Sequence, residues 1–153
     1  MTEDARFEDA GESPLRLRAF DTDDLAVISA LLQDAVLPGT EIRWERGARR
    51  LALLINRFRW ERPARPPERV QSLLVIEGVE AVRSQGIVPG DGDTVLSILS
   101  AAFEPGDAPG GDVVLTFAGD GAIAARVEAL EVILKDVTRP YVAPSGKMPR
   151  HPE

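Results

Sequence analysis

An antiparallel α+β domain is the fold class this sequence predicts, and three observations point there. One amphipathic helical run lies early, at 22–36. After residue 41 the apolar residues recur in short alternating segments separated by Gly, Pro and Asp. Beyond that point no strand–helix–strand crossover is visible. With 153 residues, 44% of them hydrophobic, the chain is long enough to bury a core.

Residues 1–13 are acidic and polar, with Phe7 as the only anchor, and are expected to be flexible. Leu15, Leu17 and Ala19 alternate with Arg16 and Arg18 as a first strand. Asp21 or Thr22 is placed to cap the helix that follows, and Asp23 and Asp24 suit its positive end. Its apolar face is Leu25, Ile28, Leu31, Leu32, Ala35 and Val36, and Pro38-Gly39 ends it. Ile42 and Trp44 begin a hairpin completed by Leu51, Leu53 and Ile55. There the phase slips, because Phe58 and Trp60 have the opposite parity. A bulge near Asn56 or Arg57 would keep all five on one face; alternatively Leu54, Phe58 and Trp60 cover the other face. The segment 61–69 is a Pro/Arg-rich loop.

Residues 70–82 read as a strand that is buried on both sides or bent near Gly78, and 79–84 as the restart of another strand. Residues 94–103 make a further strand, after a turn at 88–93. A hairpin of Val113, Leu115 and Phe117 with Ile123, Ala125 and Val127 turns at Gly119-Asp120-Gly121. Leu130, Ile133, Leu134 and Val137 stand at helical spacing and predict a terminal helix over 128–137. The expected organisation is a single domain over 14–137 and a Pro-rich tail at 138–153. Seven strands with a C-terminal helix resemble a pleckstrin-homology-like sheet or barrel, the first helix being inserted after strand one. The rival arrangement is two α+β halves joined at the proline loop.

Chemistry is sparse. No cysteine exists, so thiol catalysis, disulfides and cysteine-bound zinc are excluded. The one histidine, His151, lies in the tail, away from any rigid frame for a catalytic base. No phosphate-cradling glycine loop or metal-ligand spacing occurs, so no cofactor, metal or catalytic residue is expected. No apolar run approaches the roughly 20 residues of a membrane span, and the N-terminus lacks a secretory pattern; the expected location is cytoplasmic.

The informative feature is charge. Net charge is −7, yet 43–69 carries nine arginines against three acids, with Trp44, Phe58 and Trp60 interleaved. Nucleic acid is disfavoured by the acidic balance. Arg and Trp are enriched at interface hot spots, so a protein partner or self-association competes with an ordinary charged surface. Asn56, Arg57, Arg59 and Trp60, with Arg83, are the candidate binding residues, able to hold a carboxylate or other small anion. The expected function is a non-catalytic protein- or peptide-binding accessory module. The alternatives are a binder of small anionic metabolites, an unrecognised enzyme, or a homodimeric structural protein.

The chain also resembles the alphaproteobacterial domain-of-unknown-function family 2948 (DUF2948). The resemblance rests on the residues 24–36, Asn56-Arg57-Phe58-Arg59-Trp60-Glu61, Ala81-Val82-Arg83-Ser84-Gln85-Gly86-Ile87, Ala102-Phe103-Glu104-Pro105 and 115–123. It implies a cytoplasmic bacterial protein and brings no activity, cofactor or partner with it.

Overall fold

The computed structural model describes residues 14–62, 66–87 and 92–142. The expectations for 1–13, for His151 with the rest of 143–153, and for parts of the proline loop and the 88–93 turn concern residues outside this set.

Strand β1 (Arg16–Ala19) leads into helix α1 (Thr22–Leu32). Asp21 caps it as its spacing predicts: its backbone is extended and its Oδ1 accepts the Asp24 N–H at 2.8 Å. The helix buries Leu25, Ile28, Leu31 and Leu32 and stops four residues short of the expected end. Asp34 then takes a left-handed turn (φ 66°), and Val36 enters a strand instead. The chain continues through β2 (Val36–Pro38), a single 3-10 turn, β3 (Ile42–Glu45), β4 (Arg50–Phe58), β5 (Glu68–Glu77) and β6 (Val79–Gln85). Next come β7 (Val95–Pro105), β8 (Gly111–Phe117), β9 (Ala122–Val127), β10 (Val132–Asp136) and β11 (Tyr141–Val142).

All pairings are antiparallel, in the order β1-β10-β5-β4-β2-β7-β8-β9-β6, with β3 added to β4 and β11 to β5. Among the described residues the two ends of this order, β1 and β6, do not pair with each other, so the sheet they form is open. This corrects the expectation of a seven-stranded, pleckstrin-homology-like α+β fold. The described residues form eleven strands and one helix longer than a single turn. The predicted terminal helix is strand β10. Its Val132, Ile133 and Leu134 alternate between the two faces and are all buried, so both faces of β10 are covered while its two edges pair with β1 and β5. A strand covered on both faces has a continuous apolar run, and such a run also satisfies a helical period.

The phase slip in β4 is real and needs no bulge. The ladder with β5 runs without interruption from Arg50↔Glu77 to Phe58↔Arg69. Leu51, Leu53, Ile55 and Arg57 therefore share the inward face, and Phe58 lies buried on the other. Gly78 alone joins β5 to β6. Its φ of +66° turns the chain from the middle of one half of the sheet to the outer strand of the other. The corner is tied by Val79 N–H donating to Arg49 O at 2.8 Å and Glu128 N–H donating to Gly78 O at 3.1 Å. One connected apolar cluster runs through both halves, including Leu53 and Leu74 on one side, Leu115 and Ile123 on the other, and Leu25 and Ile28 of the helix. Among the described residues no helix is long and apolar enough to cross a membrane.

Backbone packing is closest where β7 meets β8. A Cβ on Gly111 would stand 2.4 Å from the Glu104 carbonyl oxygen and 2.7 Å from the Phe103 ring, whereas one on Gly47 would meet nothing within 4 Å. Gly111→Ala is expected to lower unfolding stability by about 1–3 kcal/mol, the usual range for overpacking. Gly47→Ala should leave the urea midpoint nearly unchanged. Equal midpoints for the two variants would contradict this packing.

Candidate functional site

The strongest polar feature grows out of the inward face of β4. Beyond Ile55 the next inward position is Arg57, whose side chain is 0% exposed. Its ladder neighbours set what it meets. Ile55 pairs with Ser72 on β5, and Ser72 pairs with Asp136 on β10. The apolar layers of these three strands thus end in a polar layer of Arg57, Ser72 and Asp136.

Every N–H of the Arg57 guanidinium has an acceptor there. Nε donates to Ser72 Oγ at 3.0 Å. Nη1 donates to Glu61 Oε1 at 2.8 Å and to Phe58 O at 3.4 Å. Nη2 donates to Glu61 Oε2 at 2.8 Å and to Asp136 Oδ1 at 2.9 Å. Ser72 Oγ–H donates to the same Asp136 oxygen at 2.7 Å, and Asp136 Oδ2 accepts the Leu15 N–H at 3.0 Å. The cluster therefore joins β4, β5, β10 and the residue that precedes β1. Burial alone would lower the Arg57 pKa, but the bonds and charges of Glu61 and Asp136 outweigh it and raise the value. Burial alone would likewise raise the Glu61 carboxyl. The Arg57 fork, with backbone hydrogen bonding and the charge of Arg59, holds it below its ordinary value.

The other candidate residues divide. Arg59 is buried beside this cluster and its Nη1 donates to Glu68 Oε1. The Trp60 indole N–H donates to Gln33 O at 2.9 Å, and its ring meets Phe58 edge-on with centroids 4.6 Å apart. Asn56 donates through Nδ2 to the Tyr141 hydroxyl, and its Oδ1 accepts from Arg69 at 3.3 Å. With Arg57, these three sit together at the end of β4. Arg83 does not join them. It stands on β6 with its side chain 67% exposed and pairs with Asp112 at 2.7 Å. Sequence reasoning missed Ser72 and Asp136. The available signal is a polar residue at an inward position of each strand, but the helical spacing at 128–137 hides that parity.

Two surface grooves lie apart from the cluster. One, of about 520 Å³, lies between the turn that closes the β3–β4 hairpin and the start of β6, lined by Trp44, Arg46, Arg49, Val79, Glu80, Ala81 and Val82. Arg49 takes φ 54° there and pairs with Glu128 at 2.6 Å. The other, about 740 Å³, is lined by Glu80, Glu104, Asp107, Asp112 and Glu128, with Arg126 as its one basic residue. Among the described residues no group of three or more His, Cys, Asp or Glu is placed to hold a metal ion.

Breaking a buried, fully bonded ion pair leaves an uncompensated charge. Arg57→Ala is therefore expected to cost about 3–5 kcal/mol in urea unfolding. Glu61 sets a pH dependence whose sign is fixed by its lowered pKa. Its contribution is present above the ordinary carboxyl value of 4.5 and is lost as pH falls through the lower folded value. Thermal melts from pH 7 down to pH 3 should fall less steeply for Glu61→Gln than for wild type. Parallel curves would refute the pairing.

Comparison with known proteins gives one match. A family model described as "Protein of unknown function (DUF2948)" covers residues 15–151, nearly the whole chain. No curated protein and no solved structure matches it. A match of that extent bears out the resemblance carried by 24–36, 56–61, 81–87, 102–105 and 115–123: the chain belongs to the DUF2948 family.

Proposed function

We propose that this protein is a non-catalytic binding module that receives an extended segment of a protein or peptide along β6. The observation that carries the reading is the position of β6. Among the described residues it ends the strand order, pairs only with β9, and is exposed at Glu80, Ala81, Arg83, Ser84 and Gln85. An open strand edge offers main-chain donors and acceptors to an incoming strand, and an adjacent groove supplies specificity for side chains. Here the adjacent groove contains Trp44, Arg46 and Arg49. Indole and guanidinium are the groups most often found at interface hot spots. The bulge between Val79 and Ala81 interrupts the first part of β6, so the usable edge is its later part.

The original candidates contribute differently to this reading. Arg83 lies on the proposed edge. Asn56, Arg57, Arg59 and Trp60 already bond to other parts of the chain, which favours a role in holding the scaffold that presents β6.

A random peptide display library, selected on the full chain, provides the test. Enriched peptides should raise the hydrogen-exchange protection of the 81–85 amides. Their affinity should fall at least tenfold with either Arg46→Glu or Ala81→Lys, two exposed positions beside the groove. Failure to enrich any peptide over an Ala81→Lys counter-selection would overturn the reading, as would protection confined to another strand.

A further inference from the structure

The Arg57 cluster has a division of labour that points beyond scaffold stability. Two of its acceptors stand on sheet ladders: Ser72 on β5 and Asp136 on β10. They hold Nε and one Nη2 proton and so fix the plane of the guanidinium without help from Glu61. What remains is the Nη1–Nη2 edge, a fork whose spacing matches a carboxylate. Glu61 fills it with two 2.8 Å bonds. Glu61 belongs to no strand. It follows β4 in a turn closed by the Arg62 N–H donating to Arg59 O at 3.2 Å. It is also the outermost member of the cluster, 25% exposed where Asp136 is 5% and Arg57 0%. A second guanidinium, Arg59, lies close enough to act on its charge.

We propose that Arg57, Ser72 and Asp136 form a carboxylate-binding site that Glu61 occupies in cis, and that a carboxylate from another molecule takes the Glu61 position when the turn at 60–62 moves away. The ligand class is a carboxylate, supplied either by a small organic acid or by the C-terminus of a peptide. The tethered Glu61 competes at an effective concentration on the order of millimolar or more, so a bare carboxylate displaces it weakly. A ligand that also contacts the surrounding residues displaces it more readily. The site is separate from the β6 groove, and its test does not depend on that groove.

The test uses the full chain at neutral pH. In Glu61→Ala, sodium acetate should raise the melting temperature above that in sodium chloride of equal ionic strength, and acetamide should not, because only a carboxylate satisfies both arms of the fork. The increment should vanish in Glu61→Ala/Arg57→Met. N-acetylglycine distinguishes the two sources: tighter binding than acetate assigns the site to a peptide terminus, and equal binding assigns it to small acids. The wild-type protein supplies a second readout if Glu61→Ala does not fold. N-acetylglycine should shift the Arg57 Nε–H resonance in a nitrogen-15 spectrum, whereas N-acetylglycinamide should not. Acetate and chloride acting equally on the variant would overturn the proposal. For a variant that does not fold, identical wild-type spectra with acid and amide would do so.

Discussion

A guanidinium with no exposed surface can be kept at the end of an apolar core only if each of its N–H groups finds an acceptor and its charge finds a counter-charge. Arg57 meets both conditions, and the way it does so organises this half of the molecule. Ser72, opposite Ile55, and Asp136, opposite Ser72, must stand within reach of it on the same face, which fixes β10 against β5 and β5 against β4. Asp136 in turn accepts the Leu15 N–H, while its own N–H donates to Leu15 O, so the entry of the chain into β1 depends on the same carboxylate. Glu61 closes the outer side and sets where the chain leaves β4. A one-residue slip of any of these strands would turn the polar group toward the opposite face and leave the guanidinium without its partner.

The other half is organised by a backbone constraint. Gly78 adopts φ +66°, and through it β5, in the interior of the sheet order, becomes β6 at its end. A long strand that changes neighbours this way brings two halves onto one apolar cluster and still leaves β6 with a single partner. The geometry that completes the core thus also creates the exposed edge. That edge is interrupted by a bulge at its start and carries the charged residues Glu80 and Arg83, two features that oppose indiscriminate strand pairing. What remains accessible is a short stretch next to an indole and two guanidinium groups.

Much of the local structure was legible. The Asp21 cap, the apolar face of α1, the β3–β4 hairpin, the restart at Val79 and the β8–β9 hairpin all follow from spacing and turn residues, which act over a few positions. The candidate site was legible only as a dense stretch from Asn56 to Glu61. Whether its arginines faced water or the interior could not be read, because that turned on the parity of β4 and on partners far along the chain. Ser72 and Asp136 are 64 residues apart in sequence and adjacent in space.

By itself the sequence determined the Asp21 cap and the two hairpins at 42–55 and 113–127, that thiol chemistry is excluded, and that positive charge gathers in one segment. Tertiary structure alone decided that 132–136 is a strand, that the sheet stays open, and that Arg57 is buried. The reason is physical. An apolar run such as Val132-Ile133-Leu134 satisfies the local preferences of a strand and those of a buried helix. Only the ladder partners offered by β1 and β5, together with the burial of both faces of β10, select between them.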